Sequence, residues 1–112
     1  MLELRIYTLV STPAMSTYTT EFWPRHAESL LAFGIVVRGV WADVGTDARR
    51  VLAIVEYPPD EDPGEVADRY RRSPAFASDH AHFDASLIAS TETRRVDSVL
   101  DRPAQRAGRY SR

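Results

Sequence analysis

The chain opens with Leu2-Glu3-Leu4-Arg5-Ile6-Tyr7-Thr8-Leu9, in which apolar and polar residues alternate with a period of two. This alternation is typical of a β-strand whose two faces meet different surroundings. We expect the apolar, even-numbered residues to pack on a layer of helices. The odd-numbered residues then face the other way, and there we expect the functional site: they are Glu3, Arg5 and Tyr7.

The composition limits the class of protein. With 112 residues, of which 44% are hydrophobic, the chain is sufficient for one domain with a single core. It contains no cysteine, which excludes disulfides, thiolate metal sites and a thiol nucleophile, and no lysine, which excludes Schiff-base chemistry. No charged segment followed by a long apolar run opens the chain, so we expect a soluble, cytoplasmic protein.

The charges give little support to a nucleic-acid or membrane partner. The 14 basic side chains, all of them arginine, are offset by 16 acidic ones, which gives a net charge of -2. A surface that binds nucleic acid is usually strongly basic. We therefore expect neither a nucleic-acid nor a membrane partner.

A helix is predicted after the first strand, because Ser11-Thr12-Pro13 is a typical helix start signal. An apolar stripe at spacings of three and four follows and stops at Gly34. Its members are Met15, Tyr18, Phe22, His26, Leu30 and Phe33. Pro24 lies inside this stripe, so we expect the helix to kink or split near residues 22 and 23.

Two further strands are predicted at residues 35–44 and 51–57, where β-branched and aromatic side chains are frequent. Gly39 indicates a bulge or a close contact within the first of them. Gly45-Thr46-Asp47 predicts the turn, and Pro58-Pro59 ends the second strand. We expect the two strands to form a hairpin.

A short helix is predicted over residues 66–72, and Ser73-Pro74 predicts the start of another. The second helix has an apolar stripe that consists of Phe76, His80, Phe83 and Leu87. A fourth strand is predicted at residues 91–96. We expect one domain over residues 1–100 and a flexible, arginine-rich tail over residues 101–112.

The predicted order is strand, helix, strand, strand, helix, strand, which indicates an α+β protein with the ferredoxin-like split βαβ fold. Such a fold has a four-stranded antiparallel sheet with helices on one face only. The other face would expose a large apolar patch that includes Tyr7 and Trp41. We therefore predict a homodimer in which two such faces close into a dimeric α+β barrel.

Three motifs resemble the NIPSNAP-like branch of the dimeric α+β barrel proteins. They are the opening strand at 2–9, Gly39-Val40-Trp41 ahead of Gly45, and Ser73-Pro74-x-Phe76. The resemblance covers about residues 2–100. Relatives of this barrel include cofactor-free monooxygenases, cyclases, isomerases, haem enzymes and proteins with no assigned activity. The resemblance therefore implies a fold and no single reaction.

The histidines are the first candidates for catalysis. His80 lies on an apolar helical stripe and is either a hydrogen-bonded core residue or a general base. His26 follows the proline break and either packs in the core or tilts toward a substrate cavity. His82 is two positions from His80 and should lie on the surface, so we expect no metal site formed by the pair.

Charged residues supply a second set of candidates. Glu56 interrupts an apolar strand, where the family segment is commonly aromatic or aliphatic, and it is either an acid–base group or a surface charge at a strand end. Arg5 and Arg38 are the expected counter-ions of Glu3 and Glu56, and they either stabilise the fold or bind an oxyanion. The expected substrate-binding residues are Glu3, Tyr7, Trp23, His26, Trp41 and Phe76.

Together these residues predict a cofactor-independent enzyme acting on a small hydrophobic, cyclic or conjugated, polyketide-like metabolite by general acid–base chemistry. His80 or Glu56 would take the proton, Arg5 or Arg38 would stabilise the oxyanion, and the outcome would be cyclisation, isomerisation or oxygenation. A non-catalytic ligand-binding or assembly module is the alternative, since no strong catalytic motif is present. The third alternative is a haem protein with His80 as the axial ligand.

Overall fold

The computed structural model describes residues 1–45 and 48–100. Its main elements are β1 (Leu2–Leu9), α1 (Thr12–Thr17), α2 (Trp23–Leu31), β2 (Val36–Ala42), β3 (Arg50–Glu56), α3 (Pro63–Arg71), α4 (Pro74–His80) and β4 (Ile88–Val96). A π-helical turn, Tyr18–Phe22, joins α1 to α2, and a 3₁₀ turn, Ala85–Leu87, precedes β4. Two of the predicted turn residues, Thr46 and Asp47, and the predicted tail at 101–112 lie outside the described residues.

The four strands form one antiparallel sheet in the order β2-β3-β1-β4. The strand that opens the chain, β1, lies in the interior of the sheet and pairs with β3 on one side and with β4 on the other. The helices connect β1 to β2 and β3 to β4. This topology confirms the predicted α+β, ferredoxin-like fold.

The first helical region is interrupted where Pro24 predicts. The backbone N–H of Trp23 donates to the carbonyl of Tyr18, five residues earlier, which defines a π-helical turn. Pro24 then lies at the start of α2, directly after this turn, which accommodates a residue that has no N–H to donate. Shortly after α2, Gly34 adopts a φ of 80°, a conformation that favours glycine and ends helices.

The hairpin of β2 and β3 has the predicted irregularity at Gly39. The pairing register shifts between Val37 and Gly39, which is a β-bulge. A Cβ atom on Gly39 would lie 2.4 Å from the Trp41 ring, so the indole lies across this glycine. A side chain at position 39 would therefore displace the Trp41 ring, which agrees with the close contact that a glycine within a strand indicates.

The helix α4 ends at His80, earlier than the apolar stripe predicts. The side chain of Asp84 accepts hydrogen bonds from both the backbone N–H and the hydroxyl of Ser86. Such local bonds compete with helix continuation. Phe83 consequently lies in a turn after the helix, where its side chain is buried, and Leu87 lies in the 3₁₀ turn.

The two faces of the sheet are the reverse of our expectation. In β3, Val51, Ala53 and Val55 are fully buried, whereas Leu52 and Ile54 are only partly buried on the opposite face. The register pairs the polar residues of β1 with the buried positions, namely Glu3 with Val55, Arg5 with Ala53 and Tyr7 with Val51. Glu3, Arg5 and Tyr7 thus belong to the helix-covered face, and the prediction that they line an interface between two copies is wrong.

The arrangement of the core explains this reversal. The buried apolar residues form two separate clusters rather than one continuous core. One contains Leu9, Tyr18, Phe22, Trp23, Val51 and Phe83, and the other contains Leu30, Ile35, Val55, Tyr57, Val66 and Tyr70. Residues of both clusters line a cavity that also contains the polar side chains of β1. The helices therefore cover these polar groups without packing tightly on them.

Candidate active site

A cavity of about 510 Å³ lies between the helix-covered face of the sheet and the helices. Its volume is in the range typical of small-molecule sites. Its floor includes Glu3, Arg5 and Tyr7 of β1. Most of its large wall residues are aromatic, namely Tyr18, Phe22, Tyr57, Tyr70, Phe76 and Phe83. The cavity combines an apolar wall with a few polar groups, as ligand sites do.

The polar floor is held together by three side chains. The Nε atom of Arg5 donates to Glu3 Oε1 at 2.8 Å, and its Nη2 atom donates to the hydroxyl of Tyr57 at 2.7 Å. The predicted pairing of Arg5 with Glu3 is confirmed, and their side chains are only 15% and 23% exposed. Burial disfavours the charge of Arg5, but the neighbouring Tyr7, Tyr57 and Glu3 outweigh it and hold its pKa above the usual value. Arg5 is therefore a fixed cation on the cavity floor.

A second polar network joins α2, α3 and α4 in the protein interior. The Asp79 carboxylate accepts hydrogen bonds from the hydroxyl of Tyr70 at 2.6 Å and from that of Ser29 at 2.8 Å. The Nδ1 atom of His26 lies 2.9 Å from the Tyr70 oxygen and 3.3 Å from Asp79 Oδ2. Since the single proton of the Tyr70 hydroxyl is donated to Asp79, Nδ1 of His26 must carry a proton and act as the donor.

The protonation states of this network follow from its surroundings. Burial lowers the pKa of His26 to about 4, although the Asp79 carboxylate opposes this shift. Burial also disfavours the charge of Asp79, but its hydrogen bonds from Tyr70, Ser29 and His26 hold its pKa below the usual value. Burial and the neighbouring Asp79 raise the pKa of Tyr70. At neutral pH, Asp79 is ionised, Tyr70 is protonated and His26 is neutral.

His26 has the features of a general base. With its proton on Nδ1, the neutral ring carries a lone pair on Nε2, which has no hydrogen-bond partner among the described residues. The ring lines the cavity and packs against both Phe22 and Trp23, with centroid distances of 4.8 and 4.9 Å. A carboxylate that orients Nδ1–H and leaves Nε2 free to accept a proton is the arrangement of catalytic His–Asp pairs.

His80 lines the same cavity. Its Nδ1 donates to the Phe76 carbonyl at 2.9 Å, because a carbonyl can only accept, and its ring stacks on Phe76 at 4.1 Å. The centroids of the His80 and His26 rings are 6.1 Å apart, with an angle of 83° between the planes. The structure thus brings both histidines and Phe76 to one cavity, while the role of each stays a prediction.

Other predicted site residues lie elsewhere. Glu56 and Arg38 form the predicted ion pair at 2.9 Å, but their side chains are 43% and 45% exposed and do not line the cavity. This agrees with the alternative that Glu56 is a surface charge at a strand end. Trp41 is 52% exposed, and Trp23, although buried, lines with Trp41 a separate groove beside β2.

Asp79, Tyr70 and Ser29 are site residues that the sequence did not reveal. His26 and Asp79 are 53 positions apart, and no short motif connects them. One signal was present: Asp79 lies three residues after Phe76 and four before Phe83, so an acidic residue occupies the inner stripe of α4. A carboxylate at such a position requires polar partners in the interior.

In residues 1–45 and 48–100, no three His, Asp or Glu side chains are grouped so that they could hold a metal ion. The helices of this part of the chain are also too short or too polar to cross a membrane.

No protein-family model and no curated protein sequence matches the chain. Among solved structures, a NIPSNAP domain protein from Burkholderia xenovorans matches with a TM-score of 0.72 and 12% identity, over 91% of this chain and 98% of that chain. The chain has the NIPSNAP-like fold. The predicted recognition is thereby confirmed at the level of structure.

Two further solved structures match the chain with lower TM-scores. A dimeric ferredoxin-like protein from an uncultured marine organism has a TM-score of 0.57 and 15% identity, over 91% of each chain. An antibiotic biosynthesis monooxygenase has a TM-score of 0.54 and 13% identity, over 89% of this chain and all of that chain. At these identities the likeness shows the fold and leaves the reaction to be argued from the site.

Proposed function

We propose that the protein is a cofactor-independent enzyme that removes a proton from a carbon atom of a small, largely hydrophobic, cyclic or conjugated molecule. The observation that carries this proposal is the His26–Asp79–Tyr70 network, which leaves the Nε2 atom of a neutral, buried histidine free in a cavity. The fold shared with an antibiotic biosynthesis monooxygenase is compatible with it.

In the proposed step, Nε2 of His26 takes a proton from a carbon next to a carbonyl group. The electron pair of the broken C–H bond forms a carbon–carbon double bond, the π pair of the carbonyl group moves to its oxygen, and the product is an enolate. Asp79 stabilises the imidazolium that forms, through the hydrogen bonds at Nδ1. Arg5 uses Nε and Nη2 within the protein, so its Nη1 donors are left for the enolate oxygen.

The fate of the enolate sets the overall reaction. Protonation at a second carbon gives an isomer, addition to a carbonyl of the same molecule gives a ring, and reaction with dioxygen gives an oxygenated product. His80 is the proposed acid for protonation in its imidazolium form, in which the Phe76 carbonyl holds Nδ1–H and Nε2 carries the proton that is delivered. His26 then releases the proton it took to solvent, and His80 regains one from solvent.

The test is hydrogen–deuterium exchange of 2-tetralone, a bicyclic ketone with acidic C–H bonds, followed by proton NMR in D₂O. We expect the wild-type protein to accelerate exchange, and His26→Gln to lose this acceleration by about a hundredfold or more. His82→Gln, which changes an exposed histidine, is the matched control and should exchange like the wild type. The proposal is wrong if the wild type does not accelerate exchange or if His26→Gln retains full acceleration.

We also propose that two copies pair through the open face of the sheet, the face without helices. This face carries Leu2, Leu4, Ile6, Trp41, Leu52 and Ile54. A monomer rarely exposes a continuous apolar surface of this kind. The likeness to a protein described as a dimeric ferredoxin-like protein supports this pairing. In this arrangement each protomer keeps its own cavity.

A non-catalytic ligand-binding module is the second candidate. It is favoured by the mutual hydrogen bonding of Glu3, Arg5 and Tyr57, because polar groups that bind one another serve to stabilise the cavity floor. Ligand binding without any His26-dependent exchange would support it. In the haem alternative, Nε2 of His80 is the available axial nitrogen. A protein that is colourless as isolated and that leaves the absorbance spectrum of added hemin unchanged excludes haem.

A further inference from the structure

More basic than acidic side chains line the cavity. In the described part of the chain, three arginines line it, Arg5, Arg71 and Arg95, and Glu3 is the one acidic side chain that does so. The charge of Arg71 is neutralised by an ion pair with Asp68. The charge balance of the cavity therefore depends on Arg5, Arg95 and Glu3.

These three residues are close neighbours on the helix-covered face. Arg5 follows Glu3 by two positions on β1, and the register places Arg95 of β4 directly opposite Glu3. Glu3 forms its ion pair with Arg5, and Arg95 has no acidic partner among the described residues, so one positive charge is left over. Arg5 is largely covered by the helices, so solvent and salt screen its charge less than they screen the charge of Arg95, which is exposed.

Around this cationic floor the walls are aromatic. Phe22, Phe76 and Phe83 supply apolar ring surfaces, and the pKa values of Tyr7 and Tyr18 are raised by burial, so both phenols remain neutral. A small inorganic anion would leave these rings without a partner, and a neutral hydrocarbon would leave the surplus charge without one. Both requirements are met by an anionic oxygen attached to an aromatic or conjugated ring.

We infer that the cavity binds organic anions in which a carboxylate or an equivalent anionic oxygen contacts Arg5 and the attached ring lies among the aromatic walls. This inference rests on the proposed function, since it names the substrate class of the same cavity. A substrate of this class would enter with its anionic group directed toward β1.

The test compares 2-naphthoate with 2-naphthamide, two ligands of nearly equal size that differ in charge, by isothermal titration calorimetry at neutral pH. We expect the wild-type protein to bind 2-naphthoate about tenfold more tightly, because the contact with Arg5 is a charge-assisted hydrogen bond. Equal binding of the two ligands, or binding of neither, would overturn the inference.

Variants then identify the residues that cause the preference for 2-naphthoate. The double variant Glu3→Gln/Arg5→Met leaves no buried charge unpaired and should lose the preference for 2-naphthoate. Arg95→Met should reduce it, whereas Arg94→Met should not, because Arg94 is the adjacent residue on the open face and pairs with Glu92. A preference that survives in the double variant, or that Arg94→Met removes, contradicts the inference.

The outcome is separable from that of the proposed function. His26→Gln should keep the preference for 2-naphthoate while it loses the exchange of 2-tetralone. Exchange that depends on His26, in a protein without any preference for the anion, would overturn the substrate class alone. A preference for the anion without exchange would overturn the proton-transfer step alone.

Discussion

The two faces of the sheet differ in a way that a simple two-layer protein would not. The helix-covered face carries Glu3, Arg5 and Tyr7, and the open face of the same strand carries aliphatic side chains. A sheet with helices on one face normally buries its own apolar face beneath those helices. Here the covered face encloses a polar cavity, which suits a binding site, and the open face has the apolar character of a protein interface.

The largest expected effect concerns the open face. We predict that Ile54→Arg, which places a charge at the centre of this face, converts a dimer completely into a folded monomer. Size-exclusion chromatography with light scattering measures the mass, and the thermal transition reports folding. A wild-type protein that is monomeric at micromolar concentration, or an Ile54→Arg variant that still dimerises, would contradict the assignment of this face.

The two Arg–Glu pairs provide the next comparison, since one lies on each face. Arg5→Met should lower the free energy of unfolding by about 3 kcal/mol, because it leaves the Glu3 carboxylate poorly solvated and without its partner. Arg38→Met should change it by less than about 1 kcal/mol, because both members of that pair are well exposed. Urea denaturation measures both values. Equal losses would show that the faces do not differ in burial.

The smallest of the three effects is the pH dependence of stability on the covered face. The pKa of His26 is lowered to about 4 in the folded protein from about 6.5 in the unfolded chain. The unfolded chain therefore binds the additional proton first, and stability falls as the pH decreases from about 6.5 to about 4. We expect a loss of about 2.5 kcal/mol over this range.

The matched variant for this pH dependence is His26→Gln, which has no titrating group at this position and should show a flatter profile between the same pH values. Asp79 has the opposite character and a different range, since its lowered pKa makes its contribution decline only below about pH 4. Identical profiles for the wild type and His26→Gln would contradict the burial of a neutral histidine.

The order of the elements could be predicted because each depends on local chemistry. Pro24 cannot occupy a helix interior without disturbance, Gly39 leaves room for the Trp41 ring, and the hydroxyl of Ser73 caps α4 by accepting the N–H of Phe76. These constraints operate within a few residues of the chain. The sequence pattern therefore contains them.

The orientation of β1 could not be predicted from its alternation. A period of two shows that Glu3, Arg5 and Tyr7 share one face, but it does not show which face the helices cover. The orientation of β1 depends on Tyr57, which lies 52 positions further along the chain and accepts a hydrogen bond from Arg5. It also depends on the cavity that Arg5 and Tyr57 both line. The expectation that helices cover the apolar face fails here because the covered face encloses a polar cavity.

The His26–Asp79 pair escaped prediction for the same reason. Its members lie on α2 and α4, and only the packing of these helices brings His26, Asp79 and Tyr70 together. The sequence favoured His80, which the structure does place in the cavity, over His26. The two histidines differ in that a buried carboxylate contacts Nδ1 of His26, whereas a backbone carbonyl contacts Nδ1 of His80.

The central claim is that His26 is a neutral base with its proton on Nδ1, held there by Asp79 and Tyr70. Two-dimensional NMR of ¹⁵N-labelled histidines identifies the tautomer and follows its titration. The account predicts that His26 remains in the neutral Nδ1–H form from neutral pH down to about pH 5, and that Asp79→Asn disturbs this state. A ring that carries its proton on Nε2, or that titrates near the ordinary histidine value of about 6.5, would contradict it.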